Sequence, residues 1–373
     1  MPHRSLCALT LLALCGLTGC AFDSSGGSTV TEAATLAGPY EVNHEAWGGV
    51  GYRWEWTSQP PLTRDGRIAF ADAYEDLLIV QDTGAMLSVI EAPTGKIRWN
   101  TQVGNTATRF LGNVRRDGSV IVTNETELFE FDLKSGNTLD RTPINTIATT
   151  KPVLYGDTAV LGVTPGRALA FDLKNNIMLW DYRFDGQIEV PPLKVDEKRV
   201  TVISSRGDIR TLAVDAARTI SSGRISGDAG DTLVTDGYFQ YIASVDQSVY
   251  AYEIETGERM WRIRDSAPVL VQPVLLGETL YVTTKDTGLT AILGETGEVL
   301  WSNPAIGGWV VTTNDSDLMV WNGRDLIRVD AERGDVIAKT SLENLSGLRA
   351  DAPEDGNIYA ITLNGAVAKF SAR

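Results

Sequence analysis

SVIEAPTGKIRW, residues 88–99, decides the fold, because the chain repeats it. It returns as YAYEIETGERMW (250–261) and TAILGETGEVLW (290–301), and in weaker form as FEFDLKSGNTLD (129–140), LAFDLKNNIMLW (169–180), TLAVDAARTISSG (211–223) and IRVDAERGDVIA (327–338). Gly95, Gly136, Gly257, Gly297 and Gly334 mark the turn of five copies, with Asn176 and Thr219 standing there in the degenerate two. The spacing is about 40 residues, a period at which stacked or ring-closed repeats are built.

Each copy reads as a β-hairpin. Val89 with Glu91, Phe129 with Phe131, and Tyr250 with Tyr252 follow the two-residue period of a strand. A Thr-Gly or Ser-Gly pair then supplies a residue able to take positive φ, and a second short strand follows. Two more strand candidates precede each hairpin; in the fifth unit they are DTLVTDG (231–237) and FQYIASV (239–245). Four short antiparallel strands per unit make a propeller blade. The C-terminal NIYAITLNGAVAKFSAR stops where a turn should follow, while GYRWEWTSQP (51–60) is a Trp-bearing strand with no hairpin before it. Pairing the two closes a ring and protects both terminal edges. The expectation is therefore all-β, an eight-bladed propeller, with seven blades as the alternative if 211–223 is not a true blade.

The motif A-x-D-x-x-T-G-x-x-x-W at this period resembles the pyrroloquinoline-quinone-type (PQQ-like) propeller repeat, and the chain lacks the Gly-His and Trp-Asp pairs of WD repeats. The resemblance covers nearly all of 51–373, closely in four hairpins and loosely in three, where Asp140, Gly223 and Ala338 replace the tryptophan. Trp99, Trp180, Trp261 and Trp301 read as packing between blades, since a fixed aromatic in each repeat contributes a large buried area. Asp132, Asp172, Asp215 and Asp330 read as turn supports, their carboxylates accepting from backbone N–H groups.

The first nineteen residues read as a lipoprotein signal peptide. Arg4 is the positive start, Leu6 to Leu14 is too short to span a bilayer, and Leu17-Thr18-Gly19-Cys20 resembles a lipobox. Cys20 is the expected lipid attachment residue. All three cysteines lie in 1–20, so no disulfide is expected. Residues 20–38 carry the lipidated cysteine and a Ser/Gly/Thr/Ala-rich tether, and 39–373 the propeller. Ala21 rather than Asp after the cysteine favours the outer membrane, at its periplasmic face or the cell surface. The net charge of −15 disfavours nucleic acid.

No catalytic residue, metal or cofactor is assigned. After the leader one histidine remains, His44, which leaves zinc, copper and a Ser-His-Asp set without their usual residues. Asn314-Asp315-Ser316-Asp317 and 351–356 lack the full ligand alternation of a calcium loop. Trp309 and Trp321 lie outside the repeat's tryptophan position, and IGGWVV (306–311) should be an innermost strand aiming Trp309 at the channel. The loop-like stretch 40–47, with His44 and Trp47, is the second candidate contact surface for a ligand or partner.

Quinoprotein dehydrogenases of this repeat hold a quinone over a tryptophan, with calcium, an aspartate base and a disulfide of adjacent cysteines. This chain has no adjacent cysteines and no assignable set of that kind. A lipid-anchored propeller of this size resembles instead the BamB family of the outer-membrane β-barrel assembly machinery, which implies a monomeric scaffold for an envelope protein. A quinoprotein-type oxidoreductase and a carbohydrate- or ligand-binding propeller are the alternatives.

Overall fold

The computed structural model describes residues 40–105 and 107–373. Their strands form eight four-stranded antiparallel sheets, and seven of these are continuous in sequence: 68–102, 110–143, 153–183, 193–224, 234–264, 274–303 and 309–341. We number them blades 1 to 7. Blade 8 takes three strands from Leu345–Ala350, Ile358–Thr362 and Val367–Ala372, and its outermost strand is Tyr52–Ser58. That strand runs antiparallel to Val367–Ala372, from Tyr52 opposite Ala372 to Ser58 opposite Val367. Arg373 N–H donates to Gly51 O at 3.0 Å, finishing the ladder. The ring thus closes with eight blades, and the 193–224 segment is a blade in full.

First strands of neighbouring blades contact one another, so they line the axis. The middle strands are buried on both faces: all six residues of Leu77–Asp82 and of Ser119–Asn124 are buried. Each blade is sandwiched between two others, which is why LLIV and SVIV read as apolar runs rather than as alternation. The buried apolar residues fall into eight clusters, one at each seam.

The repeat's tryptophan and glycine meet across the seams. Indole N–H of Trp99 donates to Leu133 O at 2.9 Å in the next blade, Trp180 to Val214 O at 2.6 Å, Trp261 to Gly294 O at 2.7 Å and Trp301 to Ala331 O at 2.8 Å. Trp56, in the closing strand, does the same to Ala92 O of blade 1 at 2.9 Å. A Cβ on Gly95, Gly136, Gly297 or Gly334 would lie 2.4–2.7 Å from the facing indole ring, so the glycine of one blade makes room for the tryptophan of the previous one. In every blade the outermost strand carries a one-residue irregularity just before this position, at Arg98 and Leu179 for example. The bulge turns the indole toward the neighbour.

Three seams lack the tryptophan, and each is filled differently. Between blades 2 and 3, Asn176 replaces the glycine, and its amide donates to Asp140 at 3.2 Å. Between blades 4 and 5 the position belongs to Ser221, not Gly223: Ser221 pairs with Thr211 as Trp180 pairs with Ala170. Its hydroxyl donates to Ile254 O, the equivalent cross-blade bond. Gly223 leaves space for the Tyr252 ring. Likewise Ala217, at φ 52°, and not Thr219 holds the turn of blade 4, because Thr219 already begins the outer strand. Between blades 7 and 8 there is no turn to dock under, since blade 8 is cut there. In the stretch 40–47, expected to be loop-like, the chain instead enters a short helix, His44–Gly49, capped by Asn43. The helix puts Trp47 against Phe370, ring centroids 3.5 Å apart and nearly parallel, beside Ala338.

Candidate functional site: the axial channel

Asp132, Asp172 and Asp330 each accept two backbone N–H bonds from the turn that follows, so these carboxylates fix hairpins. Asp351 accepts from the Asn357 backbone and amide and from Tyr359 Oη, and Asp355 from Thr313 and the Asp315 backbone. These acidic turns are occupied by their own loops. Among the described residues no group of His, Cys, Asp and Glu is arranged to hold a metal.

Of the four candidate contact residues, Trp47 and Trp321 are 0% and 1% exposed inside one core cluster and present no surface to a ligand. They are large because the blade 7–8 seam lacks a docked indole. His44 is exposed on the short helix, edge-on to the Trp54 ring at 5.8 Å. Trp309 opens the innermost strand of blade 7, is partly exposed, and lines the axial channel. The sequence pairs Trp309 and Trp321 as outliers; the strands pair them as well, directly opposite each other, with only the first reaching the axis.

Two cavities of about 620 and 510 Å³ follow the axis, and both include Asp72, Lys151 and Gln272 in their walls. Those three residues mark the waist between them. One residue per blade contributes: Asp72, Asn113, Lys151, Pro191, Thr232, Gln272, Val311 and Arg349, about 40 residues apart along the chain. Six of these eight are polar in a structure whose blade interiors are apolar. The column recurs once per repeat, as the tryptophan and the glycine do, but its residue type changes in every blade, so no motif announces it.

The waist is poorly satisfied. Thr232 Oγ1 is buried and makes no hydrogen bond, and the buried Asp72 carboxyl has only the Asn113 amide beside it. Burial pushes the Asp72 carboxyl above the ordinary carboxylate range, against the pull of Lys151 and Arg349. Neither of those cations lies within ion-pair distance of a carboxylate among the described residues, whereas Arg115 and Lys194 further along the wall are paired with Asp76 and Glu197. The Arg349 guanidinium donates only to Leu348 O. Buried polar groups are normally satisfied, and a cluster of unsatisfied ones on a cavity wall marks a place where another molecule completes the bonding.

The comparisons with known proteins agree with this architecture. BamB from Moraxella catarrhalis superimposes with a TM-score of 0.68 at 16% identity, covering 86% of this chain and 99% of that one. The computationally designed Ika8 protein gives 0.70 at 11% identity (84% and 98%), and the C-terminal WD40 domain of Sif2 gives 0.69 at 10% identity (86% and 98%). At such identities the likeness speaks for the eight-bladed ring alone, which forms here without the WD signature. No curated protein matches the sequence. A family model described as outer membrane protein assembly factor BamB matches residues 21–224 and 221–373, the whole of the propeller. The chain therefore belongs to the BamB family of PQQ-like-repeat β-propellers.

Proposed function

We propose that this protein is a non-catalytic, lipid-anchored scaffold of the bacterial envelope, acting as a monomer that holds a partner protein during outer-membrane protein assembly. The observation that carries the reading is the family match across both halves of the ring. A propeller suits the task, because its rigid closed blades display loops from all eight units at either end. Affinity capture from detergent-solubilised envelope should recover components of the outer-membrane β-barrel assembly machinery. Recovery of none of them rejects the assembly role.

Cys20 and the leader lie outside the described residues, and we assign Cys20 as the lipid attachment site from its lipobox context. Cys20→Ser should move the protein from the membrane to the soluble envelope fraction with its melting temperature unchanged. Retention of Cys20→Ser on membranes as tight as that of the wild type refutes the anchor.

The quinoprotein alternative is tested directly. Purified protein incubated with pyrroloquinoline quinone and calcium should neither retain the quinone through gel filtration nor oxidise alcohols with a dye acceptor. A stoichiometric complex that turns over would replace the scaffold reading with an enzymatic one.

A further inference from the structure

We propose that the waist of the axial channel binds a carboxylate group, presented by an acidic, extended segment of a partner protein. The proposal rests on the scaffold reading and adds to it the chemistry of what is held.

Charge contrast is the first argument. The chain carries −15 overall, yet the waist presents Lys151 and Arg349, both free of ion pairs, against Asp72, whose charge burial disfavours, and Asp231, an exposed carboxylate on the wall of the same cavity. Two unpaired cations in a confined channel of an anionic protein act where the walls exclude water, so they draw an anion past a repulsive exterior. Donors are the second. Thr232 Oγ1 is buried and unpaired, on the same wall as the Lys151 ammonium and the Gln272 amide. A carboxylate offers two oxygens with about four acceptor sites, enough to take bonds from an ammonium, a guanidinium, an amide and a hydroxyl together. The Asp72 carboxyl, lifted by burial, is the more readily protonated and can then donate rather than repel.

The shape favours a chain over a small acid. The two cavities continue on both sides of the waist, with Phe70, Trp309 and Leu270 along one and Pro191, Pro192 and Leu193 along the other, and Leu270 is 59% exposed. A small organic acid would leave these apolar walls wet. An extended peptide covers them with alternate side chains while its acidic group reaches the waist.

The test uses the full chain in detergent and a fluorescein-labelled, amidated peptide of alternating leucine with glutamate or aspartate, read by fluorescence anisotropy. Saturable binding of one peptide per chain is expected, at least about tenfold tighter than that of the glutamine/asparagine counterpart. Lys151→Met with Arg349→Met should lose about tenfold or more, while Asp72→Asn should bind as well or better. If the double variant is unstable, Lys151→Gln and Arg349→Gln are read singly, each with its melting temperature as the control. Equal binding of the uncharged peptide, or wild-type binding by the double variant, overturns the proposal. So does binding of succinate or inorganic phosphate with no binding of the peptide. An envelope partner captured equally by wild type and by Lys151→Met/Arg349→Met removes the channel site and leaves the scaffold standing, so the two readings fail separately.

Discussion

Deleting residues up to Gly38 should leave the melting temperature within about 2 °C of the full chain, whereas deleting through Pro60 should abolish the cooperative transition. The second cut removes the outermost strand of blade 8, with its ladder from Tyr52 to Ser58, and exposes the edge of Val367–Ala372. It also removes Trp47, Val50, Tyr52 and Trp56, which are 0 to 8% exposed. At roughly 1.5–3 kcal/mol for each fully buried apolar side chain, the four together stabilise the ring by about 6–12 kcal/mol. That is the size of a whole domain's net stability, about 5–15 kcal/mol. The loss also opens the clasp, because this one segment is continuous in the chain with blade 1 and hydrogen-bonded to the last strand of blade 8. Thermal unfolding of the two truncations, followed by circular dichroism, decides the matter. Matching transitions for both would mean that blades 1 to 7 hold the ring without the closing strand.

The sequence carried the ring and its closure because those depend on features that repeat. A turn glycine and an indole recurring together are visible wherever both survive, and the split blade follows from counting what each terminus lacks. Reading failed where only one partner of a contact survived. Ser221 keeps the cross-blade hydrogen bond of the missing indole, yet a count from the turn lands on Gly223, since the blade 4 turn is built on Ala217 and not on Thr219. Trp47 looked like a surface aromatic because 40–47 reads as a loop; it is a helical residue filling the seam beside the split blade 8. Asp140 and Asn176 look like two unrelated degeneracies in sequence and are one hydrogen-bonded replacement in space. The channel residues are the opposite case. Their spacing is regular, but a site composed of one different side chain from each blade has no consensus to recognise. Trp309 was found only because a tryptophan stands out.

Trp99→Ala should cost about 3–5 kcal/mol, and Trp54→Ala less than about 1 kcal/mol, although both indoles sit on outermost strands. Trp99 is 9% exposed, donates to Leu133 O, and lies under the blade 2 turn; Trp54 is 41% exposed and its indole N–H reaches only Thr57 of its own strand. Burial and the cross-blade bond, not residue type, set the difference. Gly136→Ala tests the other half of the contact. Its φ is +73°, and its new Cβ would meet Trp99 Cδ2 at 2.6 Å, so the substitution carries both backbone strain and a clash. Ala217 occupies the same turn position next to Trp180 at φ 52°, which indicates that a small shift of turn and ring can house one methyl. The cost of Gly136→Ala is accordingly about 1–3 kcal/mol and not a loss of the fold. Combining it with Trp99→Ala should be less destabilising than the sum of the two by about 1–2 kcal/mol, because the methyl enters the space the indole vacates. Denaturant midpoints of the two single variants, the double variant and the wild type close the cycle. Strict additivity would show that the glycine serves only its own turn, and that the alternation of tryptophan and glycine around the ring is not a single interlocking contact.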